Sequence, residues 1–144
     1  MAGKKTGILL AGLGVALVAI QLVPVSRTNP PAEGNPTAPA EVQAILRTSC
    51  YDCHSNQTVW PWYSHVAPVS WLVASDTSEG RGKFNFSTWG RYSPEERALI
   101  LKRVVHEVRE GDMPPWYYTL KHTDAKLSPA QRATLEAWAT GPQS

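Results

Sequence analysis

Cys50-Tyr51-Asp52-Cys53-His54 decides how the rest of the chain reads. Two thiols three residues apart can reach the two vinyl groups on one edge of a porphyrin. The imidazole directly after the second thiol can then swing under the iron as its proximal ligand. Cys-x-x-Cys-His is the c-type haem attachment pattern. It makes one covalent haem c the expected cofactor, held through Cys50 and Cys53 with His54 on the iron. Covalent tethering also frees a small domain from holding the group by burial alone. Three rival readings stand beside this one. A thioredoxin-type redox pair expects a βαβ context, and no strand alternation is present. A zinc site needs two ligands besides the cysteines, yet His54 lies too close to Cys53 for finger spacing, and His65, His106 and His122 are scattered. A plain local disulfide is the third.

Downstream, a sixth ligand for the iron is sought. Met113 is the only methionine besides the initiator and lies 59 residues after His54, in Gly111-Asp112-Met113-Pro114-Pro115. A thioether ligand needs a stiff loop facing the iron. Gly111 allows a sharp turn, and the prolines fix the backbone and remove donors that a buried loop would have to satisfy. A lone Met is otherwise core filler, but this one stands outside any apolar stripe. His122 is the alternative axial ligand. His65 and His106 rank behind it, and an open sixth position is the remaining case. Trp60, Trp62 and Tyr63 on one side, and Trp116 and Tyr117 on the other, flank the two ligand regions. They are candidates for a haem pocket, or they simply pack the core. Arg81 and Asn85 are candidate propionate partners, whereas Phe84, Phe86 and Trp89 read as core or loop anchors.

The fold expected around this motif is all-α, a small helical domain with long aromatic loops around one haem. Pro39 to about Ser49 has Val42, Ile45 and Leu46 on one face that leads into the cysteines. Pro68 to Ser78 is a second helix, with Gly80 available to end it. Ser93-Pro94-Glu95-Glu96 and Ser128-Pro129-Ala130-Gln131 are helix-start signals with Pro at the first helical position. Their helices carry Leu101, Val104, Val105 and Val108, and Leu135, Trp138 and Ala139, and stop at Gly111 and Gly141. The connecting loops are too long for an ordinary bundle, so something besides side chains is expected to fill part of the core.

Upstream, Lys4 and Lys5 precede an apolar run from Ile8 to Val25. Its eighteen residues span about 27 Å as a helix, near the hydrocarbon thickness of a bilayer. No small-x-small cleavage site follows, which favours an uncleaved anchor over a cleaved signal. The positive-inside rule places the lysines in the cytoplasm and the remainder outside, on the periplasmic side of a bacterial membrane. Residues 26–38 are Pro-rich and lack aliphatics, which reads as a linker. The organisation expected is therefore 1–25 anchor or signal, 26–38 linker and 39–144 haem-binding domain.

Composition bounds the alternatives. Apolar residues at 42% and charged ones at 18% argue against disorder. The net charge of +2 is supplied by Lys4 and Lys5, leaving 12 basic against 12 acidic residues, so no basic face for nucleic acid is expected. Two cysteines exclude a disulfide-rich scaffold.

A family is also visible. Cys50 through Asn56, Trp60-Pro61-Trp62-Tyr63-Ser64 and Ala67-Pro68-Val69-Ser70-Trp71 resemble the bacterial haem-binding domain family of c-type cytochromes. So do Glu79-Gly80-Arg81, Asn85-Phe86-Ser87 with Trp89, Gly111 through Pro114, His122 through Ser128, and the Gln21–Pro31 exit from the apolar segment. The order of helix, Cys-x-x-Cys-His, methionine loop and C-terminal helix is similar to class I cytochromes c. The resemblance implies one covalent haem and an exported domain. The function expected is a membrane-anchored monohaem cytochrome that carries electrons between extracytoplasmic redox proteins, not an enzyme. A haem sensor or small peroxidase with an open or displaceable sixth ligand is the alternative. A zinc-stabilised interaction domain is the third.

Overall fold

The computed structural model describes residues 2–142. Among them the chain forms seven α-helices and three short 3-10 turns, with no strand beyond one isolated bridge between Gly34 and Thr88. The all-α expectation holds. The described residues fall into two compact units. One takes the chain up to Thr28 together with Trp60–Asp76, and the other takes Asn29–Val59 and the chain from Thr77 on.

The first unit contains α1 (Ala2–Ile20), which is long and apolar enough to cross a membrane. Its 18-residue window Gly3–Ile20 has a mean hydropathy of 1.5 and no burial inside the protein, compatible with a single-pass anchor or a signal. The helix begins and ends earlier than the expected Ile8–Val25. Pro24 explains the early stop, because its ring would clash with the carbonyl of residue 20 and pushes residue 23 out of helical geometry. Beyond the stop, Gln21 bonds Ala67 in both directions. Its Nε2 donates to the Ala67 carbonyl at 3.2 Å, and its Oε1 accepts from the Ala67 N–H at 2.8 Å. Arg27 Nη1 donates to the Ser64 carbonyl at 3.2 Å, next to a 3-10 turn at Trp62–His65.

The second unit holds the core. Here α2 (Ala40–Ser49), α3 (Tyr51–His54), α5 (Pro94–Glu110), α6 (Trp116–Thr119) and α7 (Pro129–Thr140) are joined by α4 (Val69–Lys83), whose second half belongs to this unit. Both start signals are capping boxes: Ser93 and Ser128 accept from the N–H groups of Glu96 and Gln131, whose side chains bond back to the cap N–H. Gly111 ends α5 with a φ of 84°, where any other residue is strained. Val42, Ile45 and Leu46 of α2, Leu101, Val104 and Val108 of α5 and Leu135 of α7 meet Phe84, Phe86 and Trp89 in one cluster. Trp138 and Ala139 pack against it, while Phe84, Phe86 and Trp89 are part of it, as the core anchors expected.

Two local readings need correction. First, α4 does not end near Gly80 but continues through it to Lys83. A β-carbon on Gly80 would lie 2.4 Å from the Cys53 carbonyl oxygen, so this glycine serves close approach of backbones rather than a helix stop. Second, most of the Pro-rich stretch is docked. Glu33 and Gly34 N–H donate to the Ser87 carbonyl, Asn29 Nδ2 to the Thr58 carbonyl, and Asn56 Nδ2 to the Pro31 carbonyl. Pro36 is buried. Prolines cannot supply these donors, but the residues among them can, and a Pro-fixed backbone loses little entropy on docking.

Candidate functional site

The attachment motif is a single helical turn. α2 hands the chain to Cys50, whose N–H donates to the Leu46 carbonyl, and the Cys50 carbonyl accepts from the N–H of His54, both at 2.9 Å. Residues four apart share a helix face, so Cys50 and His54 look the same way. They look into a cavity, together with Met113 and Pro114. Phe84, Phe86, Val104, Val108 and Leu127 make its apolar wall, and Lys83, Arg103 and Glu107 bring charge to it. The cavity measures about 80 Å³, and the empty space of the whole cleft, mouth included, is about 640 Å³.

His54 is held in one state and one orientation. Its ring stacks on Phe84, with centroids 4.2 Å apart and planes 11° from parallel. Its Nδ1 faces the Phe84 carbonyl at 3.4 Å. A carbonyl only accepts, so in the tautomer that makes this bond Nδ1 carries the proton and Nε2 keeps its lone pair. A backbone carbonyl behind the ring prepares a histidine for a metal in this way. Burial holds the imidazole below its ordinary pKa, against the pull of the Phe84 and Gly80 backbone acceptors, and keeps the ring neutral at physiological pH.

The Cys50 thiol is not poised for redox exchange. Burial, with a smaller contribution from Cys53, pushes Cys50 up to about 12. A redox Cys-x-x-Cys works through a low-pKa thiolate, which this site does not favour. Both cysteines are thiols rather than a disulfide. Nor, among the described residues, are three or more His, Cys, Asp or Glu side chains grouped to hold a metal ion as a zinc site requires. What converges instead is an imidazole nitrogen, a thioether and a thiol on an apolar wall.

That donor set fits a haem, and a family of haem-binding domains matches residues 15–141. The chain belongs to the haem-binding domain family. No curated protein and no solved structure matches it.

Within this haem-binding domain the expected site residues separate. Cys50, His54 and Met113 line one cavity. Cys53 is not among the residues that line it, and the Gly80 backbone comes against the Cys53 carbonyl. The alternative ligand His122 stacks on Tyr118 instead, with centroids 4.3 Å apart, and does not line the cavity. His106 is exposed on α5, and His65 is exposed in the first unit. Trp60, Trp62 and Tyr63 also belong to the first unit, and the Trp60 indole N–H is buried without an acceptor among the described residues. Trp116 is 72% exposed and Tyr117 is exposed, so neither walls the cavity.

Arg81 and Asn85 are occupied elsewhere. Arg81 donates to the Ser55 carbonyl, to Asn29 Oδ1 and to Thr58 Oγ1, each at 2.8 Å. Asn85 Nδ2 donates to Asn56 Oδ1 at 2.7 Å. Both fix the segment that follows His54 rather than facing the cavity. The cations that do line the cavity are Lys83 and Arg103, which the sequence did not single out. Also unforeseen is the tie between the attachment turn and the chain beyond Met113: Tyr118 Oη donates to Asp52 Oδ2 at 2.7 Å.

Proposed function

We propose that the chain is a monohaem c-type cytochrome that carries electrons between extracytoplasmic redox proteins, anchored in the membrane by α1, and is not itself an enzyme. The observation that carries this reading is the shared cavity of Cys50, His54 and Met113. A bound haem supplies one-electron chemistry at its iron. The thiols of Cys50 and Cys53 would hold the ring covalently, each adding across a vinyl group with sulfur to one carbon and the proton to the other. His54 Nε2 and the Met113 thioether would be the side-chain groups that hold the iron. Histidine–methionine ligation raises the reduction potential, and a filled sixth position leaves no site for a substrate. Lys83 and Arg103, at the same cavity, suit the ring's carboxylates better than Arg81 or Asn85, whose donors are already engaged.

The test is expression of the full chain with a c-type maturation system. Denaturing gels stained for haem should show colour at the mass of the chain, lost when both cysteines become Ala. Oxidised protein should be low-spin. Haem released by acid extraction of the wild type would refute covalent attachment. High-spin iron would favour the sensor or peroxidase reading, with its open sixth position.

A further inference from the structure

The first unit presents an apolar surface at the end of α1. The sixteen residues Trp60–Ser75 contain no Asp, Glu, Lys or Arg, but include three Trp and one Tyr. Several of their apolar side chains face outward: Trp62 is 78% exposed, Val66 46%, Val69 44% and Leu72 48%. Val69 and Leu72 are three apart on α4 and share a face.

Position along the bilayer normal follows from the hydrogen bonds. The apolar window of α1 is 18 residues, Gly3–Ile20. At about 1.5 Å per residue that is about 27 Å, which leaves no slack in a hydrocarbon core of about 30 Å, with the ammonium groups of Lys4 and Lys5 reaching back to the cytoplasmic headgroups on their long stems. Gln21 therefore lies at the boundary of that core. Its side chain holds both backbone groups of Ala67, and Arg27 holds the Ser64 carbonyl a few residues on. Ala67 is thereby tied to the boundary, and Leu72 is only five residues beyond it. The headgroup layer on each side is about 5–7 Å deep. Tryptophan prefers this layer, where its ring is dehydrated and its N–H stays wet. The absence of carboxylates removes any repulsion from anionic lipid.

We infer that Trp62–Leu72 is a second membrane contact of this chain, an interfacial segment seated in the lipid headgroup layer beside α1. The inference rests on the reading of α1 as an uncleaved anchor. With its exit held at Ala67 and Ser64, the segment would keep α1 from rotating freely.

The full chain in nanodiscs of phosphatidylcholine and phosphatidylglycerol is the material for the test. One lipid probe carries a photoactivatable diazirine next to its headgroup, and a second carries it at the acyl terminus. Labelled peptides are mapped by mass spectrometry. The headgroup probe should label the peptide containing residues 62–72 at a yield like that of the end of α1, and the acyl-terminal probe should label α1 alone. Trp62→Glu combined with Leu72→Glu, both at exposed positions, should cut the labelling of this peptide several-fold and leave α1 labelled. Labelled α1 with an unlabelled 62–72 peptide overturns the interfacial contact alone, as does a segment that crosslinks to another protein instead of lipid. A mature chain that lacks α1 overturns the anchor and this contact together.

Discussion

Gly80 has no side chain because the attachment turn leaves no room for one. A β-carbon there would stand 2.4 Å from the Cys53 oxygen and 2.9 Å from its carbonyl carbon. Both are backbone atoms that cannot swing aside. Gly80→Ala should therefore destabilise the chain by about 1–3 kcal/mol or more, the usual result of overpacking, seen as a lower denaturation midpoint and a lower yield of haem-bearing protein. Gly82→Ala is the matched control, with open space at the same helix, and should stabilise by up to about 1 kcal/mol. A glycine near a helix end was legible in the sequence; its purpose was not, because a helix stop and a close backbone approach both require the same residue. Cys50, Cys53 and His54 were legible because their chemistry is local. The Phe84 carbonyl that orients His54 was not, since a backbone acceptor 30 residues away leaves no mark on residue type. Met113 stood out by its setting and lines the cavity. Met113→Ala should abolish the weak far-red sulfur–iron band, lower the reduction potential and let cyanide bind readily. His122→Ala should leave all three unchanged; the reverse pattern would make the ligation bis-histidine.

α5 and α7 were readable from their capping boxes and stripes, because caps and periodicity are written in consecutive residues. The one-turn helices α3 and α6 were not, being too short for any period to show. The docking of residues 29–38 was hidden for another reason: the partners are backbone groups around Ser87 and Thr58, while the composition reads as linker either way. Between α5 and α6 the methionine loop is held at both ends. At one, the N–H groups of Asp112 and Met113 both donate to the Glu107 carbonyl, at 3.0 and 3.2 Å. At the other, α6 is tied to the attachment turn by Tyr118 and Asp52, whose second oxygen accepts from the Val59 N–H at 2.8 Å. One carboxylate thus links the turn that carries His54 to the chain that carries Met113. Tyr118→Phe keeps the ring against His122 and removes only the hydroxyl. Loss of a partly buried hydrogen bond to a carboxylate is on the order of 1–2 kcal/mol. If that loss appears in the closure of the sixth position, cyanide should bind about tenfold more tightly than to wild type. Asp52→Asn should act in the same direction, and the double variant should fall short of the sum. Unchanged cyanide affinity in Tyr118→Phe would show that the tie has no part in placing Met113.

The second unit is built around a space its own side chains do not fill. Its apolar cluster comes from α2, α5, α7 and the Phe84–Trp89 stretch, and the cavity opens among those same elements. The long loops, too long for a simple bundle, already implied such a gap. A haem seated there would complete the core, so the group that carries the chemistry would also carry part of the stability. Replacing Cys50 and Cys53 by Ala separates the two roles, because the chain then has no covalent hold on the ring. If the walls relax only in part, a void of about 80 Å³ remains. At roughly 24 cal/mol per Å³ a void of that size is about 2 kcal/mol of lost stability. For a core of about 100 residues this is on the order of 10 °C in Tm. The doubly substituted chain should accordingly melt about that far below the haem-bearing wild type, and its near-UV circular dichroism should weaken as Phe84 and Phe86 lose the surface they face. Far-UV circular dichroism should change less, since the capping boxes of α5 and α7 need no cofactor. A haem-free chain that melts with the wild type and keeps its near-UV signal would mean that the cleft closes on itself, and that the haem does not complete this core.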